Sequence, residues 1–378
     1  MAITIVWEAK LRKFFLISAM LVASSFACVA FSGAAEAQSG APLANSCRDY
    51  GVKMQFICGV HNAEDLAQVP GTSWIIGSGL ATPGQPGSGG LVIVDTRSHT
   101  AAKAVINVAA NPQPPFLGCP GPLNLSAFSA HGLNISRLAA GRLRLFVVGH
   151  GGREATEIFD VATQGSSAPK ITWTGCIPAP PDSSYMNAVV GLADGRVISS
   201  QFLFGQAQMK DIFQAKITGA VYIWSPGGEY KMLPGTELAG ANGVAVTPDD
   251  KYLFVAATGT GVVSRYELAD TQKTPTIIHT GFRTDNIHWG PNGRLLLAGP
   301  AFRGTVLDPS CDPVVSSACA GGTPVVAELN PVTLKLKEIY HGPAEPDLQY
   351  LSTGIIVGNT LWFGTYAADH IGYADLKH

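Results

Sequence analysis

The sequence predicts an all-β fold, a propeller of six four-stranded sheets set around one axis, and three observations carry that reading. Of its 378 residues 43 are glycine and 25 proline while only 14% are charged, a composition suited to turns and pleated strands and short of charged helix faces. One segment type recurs six times along the chain: a polar residue, a small or polar residue, an aliphatic residue, a strand, a Gly- or Asp-bearing turn and a second strand. The recurrences lie on average about 58 residues apart, near the span of a four-stranded blade with its loops.

Taken in order, the chain opens with a segment that reads as a signal peptide over residues 1–37. Lys10, Arg12 and Lys13 precede an apolar run from Phe14 to about Phe31, and Ala35-Glu36-Ala37 offers a small-x-small cleavage site before Gln38. The alternative, an uncleaved membrane anchor, is opposed by an apolar run shorter than the roughly 20 residues a span requires. Residues 38–378 are then a single exported propeller domain, periplasmic or secreted, with no transmembrane anchor after signal removal.

Glu64-Asp65-Leu66 running to Trp74-Ile75-Ile76 marks the first repeat, and His131-Gly132-Leu133 running to Leu145-Phe146-Val147-Val148 the second. Asn187-Ala188-Val189 with the turn Ala193-Asp194-Gly195 marks the third, and Asn242-Gly243-Val244 with Thr247-Pro248-Asp249-Asp250 the fourth. Asp285-Asn286-Ile287 with Pro291-Asn292-Gly293 and Thr353-Gly354-Ile355 with Gly358-Asn359 complete the set, each a hairpin by its turn chemistry. Between the third and fourth repeats Met209, Ile212 and Phe213 fall at helical spacing, either a lid at the tunnel mouth or a surface helix packed on its own blade. The stretch from Pro300 to Pro324 reads as a long loop.

Outside the leader six cysteines are available: Cys47, Cys58, Cys119, Cys176, Cys311 and Cys319. An even count in an oxidising compartment points to disulfides. Closure over short range, Cys47 with Cys58 and Cys311 with Cys319, is the expected pattern, and the rest of the connectivity stays open. A net charge of -2 with no Lys/Arg run gives no electrostatic footprint for nucleic acid. A small-molecule partner is the expectation.

In a propeller every innermost strand starts at the same end of the tunnel, so the first position of each repeat converges on the axis. Here those positions are Glu64, His131, Asn187, Asn242, Asp285 and Thr353. Burying so many polar groups is costly unless something satisfies them. Glu64, Asn187, Asn242, Asp285 and Asn286 offer oxygen donors that suit Ca2+, a hard ion taking six to eight oxygens, whereas zinc or copper would want more imidazole or thiolate. His131 and His150, at the ends of a strand and its hairpin partner, offer a base and a helper for water activation. His61, His99, His279, His288, His341, His370 and His378 lie outside the repeat register and receive no assignment. Without a G-x-S-x-G elbow, water is the expected attacking group.

These residues resemble the serum paraoxonase family of arylesterases and lactonases, within the gluconolactonase-like and strictosidine-synthase-like calcium propellers. The resemblance runs over nearly the whole chain after the leader. It rests on E-D-L at Glu64, H-G-L at His131, V-V-G-H at His150, N-A-V at Asn187, A-N-G-V-A-V-T-P-D-D-K-Y at Asn242 and D-N-I at Asp285. It implies that Glu64, Asn187, Asn242, Asp285 and Asn286 bind a catalytic calcium and that His131 with His150 activates water to hydrolyse a lactone or aryl ester. It also implies a second calcium on Asp65 and the Leu133 carbonyl, although Ala188 stands where that ion's third ligand belongs. The family's disulfide between the chain ends has no counterpart, since the strand around Tyr373 lacks cysteine. Fold does not fix reaction, so a non-hydrolytic lyase, isomerase or condensing enzyme, and a non-catalytic exported binding propeller, are the alternatives.

Overall fold

The computed structural model describes residues 54–82, 84–85, 87–301, 322–343, 348 and 350–376. The leader, Cys47, Cys311, Cys319 and residues 302–321 lie outside these, and Pro300 and Pro324, expected as the ends of a long loop, pair with each other in neighbouring strands. After β1 (Gln55–Cys58) the chain lays down β2 (Ala63–Gln68), β3 (Trp74–Gly79), β4 (Gly90–Asp95) and β5 (Thr100–Lys103) as the first blade. The second blade has β6 (Ile106–Val108), β7 (Ser129–Arg137), β8 (Leu143–His150), β9 (Ala155–Ala162) and β10 (Lys170–Pro178), with β6 added parallel to β10 as a fifth, outermost strand. Blade 3 is β11 (Ser183–Gly191), β12 (Val197–Phe204), β13 (Ala220–Trp224) and β14 (Lys231–Met232), with helix α1 (Met209–Phe213) between its second and third strands. Blade 4 is β15 (Ala241–Val246), β16 (Tyr252–Ala257), β17 (Val262–Glu267) and β18 (Thr276–His279). Blade 5 is β19 (Ile287–Trp289), β20 (Leu295–Ala301), β21 (Thr323–Leu329) and β22 (Leu336–His341).

The last blade is shared by the two ends of the domain. It holds β23 (Leu351–Val357), β24 (Thr360–Thr365) and β25 (His370–Asp375), and β1 pairs antiparallel with β25, Gln55 opposite Tyr373 and Cys58 opposite His370. Among the described residues no helix is long and apolar enough to cross a membrane.

Alternation of apolar residues along each strand buries both faces of the sheets, and the core takes the form of seams between neighbouring blades. Ile76, Ile93, Leu133, Phe159 and Trp173 join blades 1 and 2. Ile198, Val221, Val244, Val255 and Tyr266 join blades 3 and 4. Ile57, Ile75, Ile355, Trp362 and Ile371 close the ring between blades 6 and 1. Trp173 and Trp362 are fully buried, and truncating a side chain of that size in such a seam costs about 3–5 kcal/mol. A disulfide between Cys119 and Cys176 pins the loop before β7 to β10. Cys58 is also disulfide-bonded; Cys47, its expected partner, lies outside the described residues.

One local irregularity repeats around the axis. At the start of the innermost strand the ladder shifts between Ala63 and Leu66, Ala130 and Leu133, Met186 and Val189, and Ala241 and Val244. Each shift is a bulge that bends the strand and re-aims a side chain, and the residues in the gaps include Glu64, His131, Asn187 and Asn242. In blade 6 the gap lies between Leu351 and Thr353, so Ser352 occupies the axial position and Thr353 does not. The sequence register is one residue late there, because Ser352 and Thr353 are both polar and only the strand pairing separates them.

Candidate functional site

The bulges point their side chains into a cavity of about 120 Å³. Glu64, His131, Asn187, Asn242 and Asp285 line it together with Tyr185, Thr258 and Arg283, and Leu80, Phe202, Met209, Phe213, Pro300 and Tyr366 form the remaining wall. Close approach of the inner strands requires glycine at two repeat positions: a Cβ on Gly132 would lie 2.2 Å from the Asn187 carbonyl oxygen, and one on Gly243 2.4 Å from that of Asp285. The Gly243 amide donates to that Asp285 oxygen (3.0 Å), the Asn286 amide to the Ser352 carbonyl (3.0 Å) and Ser352 Oγ to the Glu64 carbonyl (2.6 Å). Backbone and side chain thus knit blades 4, 5, 6 and 1 at the axis.

Three buried oxygens on the cavity's polar lining, Glu64 Oε2, Asn187 Oδ1 and Asn242 Oδ1, accept no hydrogen bond from any of the described residues. Buried polar atoms ordinarily have a partner, so such a cluster calls for a ligand. The charges agree. Burial, then repulsion from Asp65 and Asp285, raises the Glu64 pKa well above the usual carboxylate range, against the bond from Asn286. Burial pushes Asp285 up to about 7, opposed by a bond from Asn242 and assisted by Asp65. Two enclosed carboxylates that resist ionisation, beside unsatisfied amide oxygens, are a donor set that a hard divalent cation would complete. Asn286 is bonded within the set: its Nδ2 donates to Glu64 Oε1 at 2.6 Å, so in this arrangement it steadies the carboxylate. No group of three or more His, Cys, Asp or Glu residues with metal-holding geometry occurs among the described residues; the oxygens here are largely amide.

Beside Glu64 stands a line of titratable groups. His131 Nδ1 lies 2.8 Å from His150 Nε2, His150 Nδ1 lies 2.7 Å from Glu154 Oε2, and Glu154 Oε1 accepts the Met186 amide at 2.6 Å. The carboxylate fixes the tautomers. With both rings neutral, His150 donates Nδ1–H to Glu154 and its Nε2 accepts Nδ1–H from His131. That leaves the lone pair of His131 Nε2, 3.7 Å from Glu64 Oε1, on the cavity side. Burial, then the neighbouring His150, holds the His131 pKa well below the ordinary imidazole range, against a bond with the Met186 backbone, which favours the neutral ring. Tyr185 stacks on His150 with ring centroids 4.3 Å apart at 8°, clamping the ring. Its phenol is kept protonated by burial and by Glu64, Glu154 and Asp285.

Sequence reasoning missed Glu154 and Tyr185, since neither occupies the repeat register. Glu154 returns to His150 because the chain turns sharply after β8, where Gly151 has φ +91°; a carboxylate four residues past a candidate base was the available signal. The short helix lines the cavity and packs against the start of blade 4, the neighbour of the blade that carries it. Ile212 is buried against Gly240, where a Cβ would approach its Cγ2 to 2.8 Å, while Met209 and Phe213 face the cavity. Arg283 sits over Phe213, 4.3 Å from the ring centroid.

The residues expected at a second calcium are joined to protein donors. Asp65 is enclosed, Leu133 presents its amide N–H to Asp65 Oδ2 (2.8 Å), and His288 Nε2 lies 2.5 Å from Asp65 Oδ1. The strand pairing explains this, because the bulge ends at Leu133 and turns its amide toward blade 1.

Fold and site together define a six-bladed β-propeller with a polar axial cavity. No protein-family model matches the sequence, and no curated protein matches it. Among solved structures the chain is similar in fold to a putative gluconolactonase, at 15% identity and a TM-score of 0.49 over 87% of this chain and 95% of that one. It is similar to a luciferin-regenerating enzyme at 13% identity and 0.49 over 84% and 96%. A gluconolactonase from Xanthomonas campestris aligns at 13% identity and 0.48 over 90% and 98%. At such identities the likeness concerns the path of the chain, and the chemistry has to be argued from the cavity.

Proposed function

We propose that this protein is an exported, calcium-dependent hydrolase of lactones or aryl esters. The observation that carries the reading is the meeting of unsatisfied buried oxygens, on Glu64, Asn187 and Asn242, with an oriented neutral imidazole on the same cavity wall. Those three residues and Asp285 would hold Ca2+, with Asn286 bonded to Glu64 beside them. Bound there, calcium supplies a Lewis acid that polarises a carbonyl and offsets the charge developing on its oxygen.

The chain's own residues account for the proton. His131 Nε2 takes it from a water held against the substrate carbonyl. The positive charge that results is spread through the Nδ1 bond to His150 and balanced by Glu154, which also keeps both rings turned for the transfer. The proton then leaves from His131 to the departing alkoxide or phenoxide. A positioned base of this kind contributes about 10²–10⁴-fold in rate. Leu80, Phe202, Met209 and Phe213 give the mouth an apolar lining that would take a ring or acyl chain and exclude bulk water.

The test is hydrolysis of a panel of lactones and aryl acetates by the purified protein, with calcium and with chelator, alongside His131→Gln. Turnover that needs calcium and falls about a hundredfold or more in the variant, with folding and ion binding retained, supports the proposal. A folded, calcium-loaded protein with no turnover on any of them would refute it and favour a non-hydrolytic reaction or ligand binding. Activity indifferent to chelator would refute the role of the ion.

A further inference from the structure

We propose that a protein-only clasp, Asp65 with His288 and Leu133, does the work of a second axial cation, so that the chain takes one calcium ion and keeps its propeller when that ion is withdrawn. The count of one rests on the calcium site proposed above; the clasp itself does not.

The Asp65 carboxylate is 2% exposed and sits one residue beyond Glu64 in the same bulge. Its Oδ1 accepts from His288 Nε2 at 2.5 Å and from the Leu66 amide at 2.8 Å, and its Oδ2 accepts from the Leu133 amide at 2.8 Å. A carboxylate has about four lone-pair sites, and here three are taken by N–H donors. Those donors belong to blades 5, 1 and 2, so one side chain ties together strands that are 223 residues apart at the widest.

A cation at this place would need oxygens. The Leu133 N–H brings its positive end onto the carboxylate that a metal ion would need, and the Ala188 side chain carries no ligand atom. His288 already supplies a hydrogen-bond partner to this buried side chain. A second ion therefore does not fit. The clasp also extends a hydrogen-bonded belt that needs no ion: the Asn286 amide to Ser352, Ser352 Oγ to the Glu64 carbonyl, and the Leu133 amide to Asp65. Blades 5, 6, 1 and 2 are fastened at the axis by this belt whether or not the cavity above holds calcium.

The start of the inner strand shows how the sequence builds the clasp. Asn286 stands just before β19 and His288 within it; Asn286 reaches Glu64 and His288 reaches Asp65. These residues of blade 5 thus grip adjacent residues of blade 1, one pair at the cavity and one below it.

Two measurements test this on the purified protein. Native mass spectrometry with calcium should give one ion per chain, falling to none in Asp285→Asn, while two ions in the wild type would overturn the proposal. Thermal melts in excess chelator should show a single cooperative transition in the wild type, recovering one ion when calcium is returned. His288→Ala should lower the melting temperature in chelator by about 5 °C or more, and His288→Gln, which restores an N–H near the same place, should recover part of the loss. Unchanged melting in His288→Ala would overturn the clasp, as would loss of the cooperative melt in chelated wild type. If His288→Ala does not fold, the glutamine variant is compared with wild type in chelator, and folding recovered by glutamine supports the donor's role. No ion bound to the wild type would sink the calcium site, with the clasp still decided by the melts.

Discussion

Asp285→Asn should stabilise the calcium-free protein while abolishing its ion binding. The magnitude comes from Asp285 itself, whose pKa is pushed up to about 7 by burial from an ordinary value near 3.9. Above pH 7 the folded chain must hold an ionised carboxylate that the unfolded chain solvates freely. Roughly three pKa units at about 1.4 kcal/mol each give about 4 kcal/mol of destabilisation, an upper bound, because relaxation around a buried charge lowers it. The sign follows from linkage. A raised folded-state pKa means the native state binds more protons than the unfolded state, so this group's contribution to stability is greatest below about pH 4 and is lost as pH rises through 7. An uncharged asparagine has no such penalty. Urea denaturation in chelator should therefore show the variant more stable than wild type by about 2–4 kcal/mol at pH 8, with the difference shrinking toward zero at about pH 4. In saturating calcium the order should invert, because only the wild type gains ion-binding energy. A variant less stable than wild type at pH 8 in chelator, or a gain equal at both pH values, would refute the reasoning.

Other expectations concern the relay, the axis and the mouth. Glu154→Gln keeps the shape but loses the charge that balances an imidazolium; kcat/KM should fall about 10- to 100-fold, with the acidic limb of the pH–rate profile moved to lower pH and calcium affinity unchanged in titration calorimetry. Gly243→Ala drives a Cβ into the Asp285 backbone and should cost about 3 kcal/mol, read as a lowered urea midpoint. Phe213→Ala should raise KM for aryl esters about tenfold, a loss of about 1.4 kcal/mol of apolar contact, and leave small lactones nearly unaffected in the same assay.

The fold was legible because repetition was. Asn242-Gly243-Val244 and Asp285-Asn286-Ile287 show the same grammar, and glycine at 132 and 243 turns out to be what lets one inner strand touch the next. What repetition could not show was any contact specific to one blade. Thr353 stands in the repeat where Ser352 meets the axis, because the bulge in blade 6 skips a single residue, whereas the others skip two. His288 received no assignment because it stands outside the repeat register, and its contact with Asp65 crosses from blade 5 to blade 1. Glu154 depends on a turn after β8, and Tyr185 on a ring contact across blades. Convergence of Glu64, His131, Asn187, Asn242 and Asp285 on one wall followed from topology; pairing among them needed coordinates.

The bulge in five of the inner strands also sets what such a molecule can become. At these positions the backbone has already stepped out of its ladder, so the side chain there is answerable to the cavity and hardly at all to the sheet behind it. Exchanging Asn for Asp, or His for Glu, at such a position changes the donor set and the local charge while the ladder behind it stays in place. A lineage built this way can try one chemistry after another by single substitutions, each weighed against the stability it costs or restores.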